Sequence, residues 1–205
     1  MTNIEDKLDE RTIDRDPIKQ FQKWFAEAVA AKVPLPEAMS LASVDSEGKP
    51  KSRMVLLKQV DQDGFVFFTN YRSDKAKELE VNPNVALTFH WSQLERQVRV
   101  EGTVTKTSAA ESREYFATRP RESQIGAWAS PQSSVISGRE ELEAKQRELE
   151  QVYEGRPVPW PEHWGGYRVQ PNRIEFWKGR IGRLHDRILY EKDGADVWTL
   201  KRLAP

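Results

Sequence analysis

Cysteine is absent from the 205 residues, which removes disulfide scaffolds, thiolate nucleophiles, iron–sulfur clusters and cysteine-based zinc sites together. Histidine is scarce. His90, His163 and His185 stand far apart with no helical metal-ligand spacing, so no metal site is expected. An excess of charge of either sign is also missing: Lys+Arg and Asp+Glu are both 32, a formal net charge of zero. A neutral chain has no global field to draw it to nucleic acid or to an anionic membrane. That balance leaves room for local basic pockets and argues only against a non-specific polyanion binder. No apolar run approaches the ~20 residues of a membrane helix. Met1 to Asp16 is dense in charge and lacks the apolar centre of a secretory signal. Neither G-x-G-x-x-G nor a Walker A pattern occurs, so no Rossmann or P-loop cradle is indicated. The expectation is a soluble, cytoplasmic globular protein with neither nucleic acid nor membrane among its partners.

What is present is a large apolar complement, 38% hydrophobic residues with 7 Trp, 8 Phe and 5 Tyr, enough for one buried core. Residues 1–15 read as a flexible polar lead-in and residues 16–205 as a single domain. Asp16-Pro17 is a cap followed by proline at the first helical position. Ile18, Phe21, Phe25 and Val29 share one face, which predicts a helix to about Lys32, ended by Pro34 and Pro36. From Ala38 to Thr105 apolar runs alternate with turns. Strands are predicted at Met39 to Val44, Met54 to Leu57, Phe65 to Phe68, Val85 to Trp91 and Gln97 to Thr105, with a short helix over Ser73 to Val81. The pattern is that of an antiparallel meander. Ser108 with Glu111, and Ser137 with Glu140, carry capping-box signatures, the first helix closing at Pro120. Strands return at Gly166 to Val169, Arg173 to Trp177, Leu184 to Tyr190 and Val197 to Leu200. The expected fold is mainly β, about seven or eight antiparallel strands in a barrel or sheet with peripheral helices.

Four groups of side chains suit anion binding. In Arg53-Met54-Val55-Leu56-Leu57-Lys58 strand alternation need not bring the two cations to one face, and by spacing alone this is a strand with charged ends. Tyr115 and Arg119 are i, i+4 neighbours, with Ser123 just past Pro120. A phenol, a guanidinium fork and a hydroxyl can surround a phosphate. The same residues also read as a helix C-terminus with a cation favoured by the dipole. Gln132-Ser133-Ser134 is by itself a polar loop. Arg183, His185 and Arg187 alternate close to Phe176-Trp177. A strand would set all three on one side, either as a pocket for an anionic aromatic ligand or as a surface stripe.

Taken in order, Arg53 to Lys58, Leu94 to Val98, Arg119 to Ala127, Gln132 to Ser134, Trp164 to Gly166, Glu175 to Trp177 and Arg183 to Arg187 resemble the pyridoxamine 5′-phosphate oxidase family. The likeness runs from about Asp16 to Pro205. It implies a homodimeric FMN-binding split β-barrel with the flavin at the subunit interface. The implied reaction is oxidation of pyridoxamine or pyridoxine 5′-phosphate to pyridoxal 5′-phosphate, with oxygen reduced to hydrogen peroxide. By matching position, the resemblance assigns the flavin to Arg53, Met54, Val55, Leu56, Leu57, Lys58, Phe68, Thr69, Ser73, Lys75, Gln97, Gln132, Ser133, Trp177 and Arg187. It assigns the substrate to Lys58, Tyr115, Arg119, Ser123, Arg183 and His185, the last two as the catalytic pair. These types suit the roles: Lys58, Tyr115, Arg119 and Ser123 for a substrate phosphate, Arg53 and Lys75 for the flavin phosphate, Arg183 and His185 to orient the pyridine ring. The implied partners are phosphorylated B6 vitamers, oxygen and a second copy of the chain.

Two positions depart from the family's pattern. Ser73-Asp74-Lys75 stands where Ser-Arg-Lys is common, and the lead-in has no counterpart of the N-terminal Arg and Tyr that close over substrate in some members. Ser73 is expected to cap the short helix and Asp74 to point from its first turn to solvent. Two other readings stay open. One is a same-fold flavin oxidase acting on another substrate, such as a phenazine precursor, which the intact Arg119 to Ser123 block disfavours. The other is a non-catalytic flavin or pyridoxal phosphate carrier, which Arg183 and His185 disfavour.

Overall fold

In the computed structural model, which describes residues 7–205, the Asp16 carboxylate accepts the N–H groups of Ile18 at 2.8 Å and Lys19 at 3.3 Å. With Pro17 at the first position this cap starts α1 (Pro17–Ala30) as the sequence predicts. The helix buries Ile18, Phe21, Trp24 and Ala28, whereas Val29 is 52% exposed. One residue past Ala28 is a turn of about 100°, which carries Val29 off the expected face.

The strands are β1 (Ala38–Val44), β2 (Pro50–Leu56), β3 (Gln59–Asp61), β4 (Gly64–Asn70), β5 (Asn84–Trp91), β6 (Arg96–Lys106), β7 (Trp164–Lys178), β8 (Asp186–Lys192) and β9 (Trp198–Arg202). They form one antiparallel sheet in the order β2-β1-β5-β6-β7-β4-β3, with β8 beside β7 and β9 beside β8. β2 and β3 are consecutive in the chain yet lie at opposite ends of this order, so the sheet rolls into a split barrel. Leu57 N–H donates to Glu37 O at 2.9 Å and Lys58 N–H to Val66 O at 2.8 Å, so two successive residues bridge the two edges. Phe21 fills the roll against Phe65, Phe89 and Trp91, with ring centroids 4.9, 4.8 and 6.0 Å away. The helices α2 (Asp74–Val81), α3 (Ala109–Thr118), α4 (Arg121–Ala129) and α5 (Arg139–Val152) lie outside it. Phe116, Ile125, Leu149, Val158 and Trp164 form a second apolar cluster.

Several local expectations are corrected. β3 is an additional short strand. The two strands expected around Pro171 are one, β7, because its register against β6 shifts between Glu101 and Gly102, leaving Asn172 as an extra residue beside the proline. Gly102 permits the close approach there, since a Cβ would stand 2.1 Å from Gln170 O. β8 starts at Asp186, two residues later than expected, because Gly182 and Arg183 adopt φ of +71° and +61° in the preceding turn. The Ser108–Glu111 capping box forms. At α5, by contrast, Gly138 is the cap residue and Ser137 pairs with Glu141 instead of Glu140, its N–H at 3.1 Å and its Oγ at 2.8 Å.

The lead-in expected to be flexible divides in two. Its first six residues lie outside the described residues. From Leu8 onward it is packed: Leu8 and Ile13 are buried, Tyr190 Oη donates to Asp14 O at 2.6 Å, and Arg202 holds Leu8 O and Glu10.

Phe21→Ala opens a cavity among three aromatic rings, so it is expected to lower unfolding free energy by about 3–5 kcal/mol. Urea denaturation with an unchanged slope would read this, and a loss below about 1 kcal/mol would show that the ring does not key the roll.

Candidate functional site

Pro120 ends α3 and starts α4 after a sharp turn, and Arg119 between them is extended. That turn gathers Tyr115, Arg119 and Ser123 around a cavity of about 590 Å³ between β2, β4 and the α3–α4 corner. Lys58 reaches it from the seam of the barrel, and Met54, Val55 and Leu56 line it from β2. Phe68 and Thr69 come from β4, Lys75 from α2, and Gln132 from the loop after α4. Phe68 stacks on Tyr115 at 4.0 Å and on Trp164 at 5.4 Å, which makes one wall aromatic.

Arg119 lies with its guanidinium 4.5 Å from the Trp164 ring centroid. Its Nη1 is buried without a hydrogen-bond partner among the described residues. Burial pulls its pKa below the usual guanidinium value. A half-buried cation with no carboxylate beside it is costly unless an anion completes it. The donor set around it, an ammonium, a guanidinium, a phenol and a serine hydroxyl, suits a phosphate.

Lys75 forms a second cationic point. Its Nζ donates to Gln132 Oε1 at 3.0 Å, Thr69 Oγ1 at 3.1 Å and Ser73 Oγ at 3.2 Å. Burial, followed by the nearby Arg53 charge, lowers its pKa. Arg53 itself does not line the cavity. It donates to Ser43 Oγ and, at 2.5 Å, to Glu78 Oε2. The buried Glu78 carboxylate pairs directly with Arg53 and, together with the Asp74 charge, favours the charged form of Lys75 from nearby. Glu78 and Ser43 were not anticipated, since nothing near them in sequence marks a contact that spans 35 residues.

Other assigned residues stand differently. Leu57 is buried in the core. The Ser73 hydroxyl donates to Asn70 O at 2.7 Å, so it makes no cap bond although it occupies the cap position. Ser133 Oγ accepts the Asp74 N–H at 3.3 Å. The Asp74 side chain is 61% exposed and pairs with Lys77 at 3.2 Å, the solvent-facing arrangement expected for a first-turn acid.

Gln97, Trp177 and Arg187 form a separate group, directly opposite one another across β6, β7 and β8. The His185 ring stands 4.7 Å from Trp177, and its Nδ1 accepts the Arg180 N–H at 3.1 Å. Arg187 is paired with Glu175 at 2.8 Å. The alternation expected for Arg183, His185 and Arg187 does not hold, because only Arg187 is in the strand. Arg183 lies exposed in the preceding turn, and His185 reaches Trp177 from the end of that turn.

The two groups are far apart in one chain. Gly165 pairs with Thr69 at the cavity, and Trp177 lies about 40 Å of extended strand further along β7. They nonetheless share a sheet face. Met54, Ser40, Thr88, Arg99, Glu175 and Leu189 form one continuous rung from β2 to β8, and Gln97, Trp177 and Arg187 are on the same face one rung along. Met54 and Leu56 are exposed on it, by 64% and 39%.

Comparison with known proteins places these features in a family. The profile described as pyridoxamine 5′-phosphate oxidase matches residues 25–153. That described as pyridoxine 5′-phosphate oxidase C-terminal dimerisation region matches residues 164–205. The chain is 58% identical to the pyridoxine/pyridoxamine 5′-phosphate oxidase of Rubrobacter xylanophilus over 97% of this chain and 91% of that one. It is 56% identical to its counterpart in Paraburkholderia phytofirmans, over 97% and 93%. Among solved structures, PhzG from Burkholderia lata, in complex with tetrahydrophenazine-1-carboxylic acid, has a TM-score of 0.91 at 31% identity, covering 98% of each chain. An FMN-binding protein of Nostoc punctiforme, related to pyridoxamine 5′-phosphate oxidase, shares the fold with a TM-score of 0.73 at 16% identity, over 90% of this chain and 97% of that one. Among the described residues, no helix is long and apolar enough to cross a membrane.

Because Asp74 faces solvent, Asp74→Arg is expected to change FMN affinity by no more than ~0.5 kcal/mol. Titration of apo-protein at two ionic strengths would check this. Tightening of about 1–3 kcal/mol, lost in high salt, would instead put the position against the flavin phosphate.

Proposed function

The chain belongs to the pyridoxamine 5′-phosphate oxidase family, whose members are FMN oxidoreductases, and from that premise we propose that it oxidises pyridoxamine or pyridoxine 5′-phosphate to pyridoxal 5′-phosphate. The observation that carries this reading is the unpartnered Nη1 of Arg119 beside Lys58, Tyr115 and Ser123. A phosphate on the substrate supplies the anion this corner lacks. The alcohol substrate gives up two hydrogens, which reduce oxygen to hydrogen peroxide. The amine substrate gives up the same two, and water then releases ammonia as the aldehyde forms.

FMN fits the residues present. Lys75 and Arg53 supply positive charge for its phosphate, and Thr69 and Gln132 add polar atoms beside Lys75. Met54, Val55 and Leu56 supply an apolar edge. Held there, FMN would supply a hydride acceptor that oxygen can reoxidise. Lys58 and Arg119 hold the substrate phosphate, and the stacked Phe68, Tyr115 and Trp164 rings exclude water from that wall. Because His185 Nδ1 accepts a main-chain N–H, Nε2 is left as the ring's donor. Arg183 adds a second cation that orients the pyridine ring.

The match to a dimerisation region supports a homodimer. Packing the shared sheet face against its copy is the arrangement that supplies Gln97, Trp177, Arg187, Arg183 and His185 to a cavity their own chain holds out of reach. A phenazine-type substrate, suggested by the likeness to PhzG, leaves the Arg119 corner without an anion and is the weaker reading.

Purified protein mixed with FMN and pyridoxamine 5′-phosphate is expected to release peroxide, and pyridoxamine without the phosphate to react far less. Arg119→Ala is expected to weaken substrate binding roughly ten- to a hundredfold, the loss of a charge-assisted contact of about 1.5–3 kcal/mol, with the flavin spectrum unaltered. An unchanged KM for the phosphorylated substrate would count against this corner.

A further inference from the structure

One residue of the Arg183-Leu184-His185-Asp186-Arg187 block has so far no role. The Asp186 side chain is 17% exposed and gathers donors from three separate parts of the chain. Arg180 Nε reaches Oδ2 at 2.6 Å, Arg202 Nη1 reaches Oδ1 at 3.0 Å, and the Leu8 N–H reaches Oδ2 at 3.3 Å. Arg202 is itself held by Glu10 at 2.5 Å and by Leu8 O at 2.7 Å. The acid therefore sits on a fixed base built from β9 and the packed part of the lead-in.

On the other side of Asp186 is a turn with little packing of its own. Ile181 and Leu184 are 85% and 74% exposed, and Arg183 is held at φ +61°, a conformation that favours glycine. A turn of this kind keeps one shape only when something outside it imposes that shape. Arg180 stands at its entrance and does two things at once: its side chain is gripped by Asp186, and its main-chain N–H is the donor to His185 Nδ1.

We propose that Asp186 is a positioning residue for the reaction: by holding Arg180 against the β9 and lead-in base, it sets the 180–185 turn so that His185 presents Nε2–H and Arg183 is kept at the substrate. The proposal rests on the reading that Arg183 and His185 meet the substrate, and the two can fail separately. Asp186→Asn keeps an oxygen for the Leu8 N–H but removes the charge that grips Arg180. Arg180→Gln removes the grip from the other side and leaves Asp186 with Arg202 and Leu8.

Both variants are expected to lose roughly ten- to a hundredfold in kcat/KM for pyridoxamine 5′-phosphate, as small misplacements of reacting groups do. FMN affinity, measured by quenching of flavin fluorescence, should stay within about twofold. A second readout does not depend on turnover. With only three histidines in the chain, the ¹⁵N spectrum of histidine-labelled, FMN-loaded protein should show His185 as the Nε2–H tautomer. The same spectrum of either variant should show a mixture of tautomers. Wild-type kcat/KM and an unmixed tautomer in both variants, while Arg183→Ala and His185→Ala are impaired, would overturn the positioning role alone. Wild-type kinetics in Arg183→Ala and His185→Ala would overturn the underlying reading and the proposal with it. Loss of FMN together with activity would show that Asp186 serves general stability and would also overturn the proposal.

Discussion

Two main-chain hydrogen bonds at the barrel seam, Leu57 N–H to Glu37 O and Lys58 N–H to Val66 O, decide where everything else can be. They tie the β1 side of the sheet to the β4 side through adjacent residues. Side chains of successive residues point opposite ways, so Leu57 turns into the core while Lys58 turns out into the cavity. The ammonium is thus delivered to the site by the same backbone geometry that closes the roll. Neither bond is to a side chain, which makes the seam insensitive to most substitutions and dependent on register. A one-residue slip in β2 would bury Lys58 and expel Leu57, so the register that keeps the core apolar also keeps the site cationic.

The two cationic corners of the cavity are built on opposite electrostatic plans. Arg53 is paired with Glu78, and Lys75 is held by the oxygens of Thr69 and Gln132 with the Glu78 and Asp74 charges nearby, so that corner carries its own counter-charge before any ligand arrives. Arg119 has no carboxylate and is instead supported by the face of Trp164, an attraction of about 0.5–2 kcal/mol. Burial of its unpartnered edge still depresses its pKa. An unpartnered, half-buried cation is an arrangement that a bound anion would complete. A corner that carries its own counter-ion suits a cofactor that stays, because the fold remains tolerable while the flavin is absent. A corner left unsatisfied suits a substrate that comes and goes, because each departure restores the same unmet demand.

Local signals were legible in the sequence where the cause is local. Asp16-Pro17 and Ser108–Glu111 act within four residues, and both caps form as their spacing indicates. Where the cause lies on another strand, the sequence is silent. Pro171 looks like the end of a strand, yet β7 runs through it because β6 yields a register shift and a glycine at the facing position. Arg183 looks like a strand residue by alternation, and the left-handed turn at Gly182 takes it out. The cavity residues from Lys58 to Ser123 were reached by family resemblance, since their spacing alone is also that of a charged strand end and a helix terminus. Glu78 and Ser43 gave no sign, and Asp186 lay within a marked block without a role, because each acts by meeting groups that are remote in sequence.

The separation of the two residue groups has a thermodynamic consequence for a homodimer. If Gln97, Trp177 and Arg187 of one copy complete the cavity of the other, the bound flavin touches both chains and binds the dimer better than the monomer. By linkage, flavin then stabilises the dimer by the same free energy by which dimerisation tightens flavin. The exposed Met54 and Leu56 sharpen this coupling, because they lie both on the sheet face and against the cavity. On that arrangement, their burial by a second copy would remove apolar area from water and close the cavity wall in a single step. The energy that assembles the dimer would then act at the site as well, and no separate device would be needed to keep an incomplete half-site from holding flavin firmly.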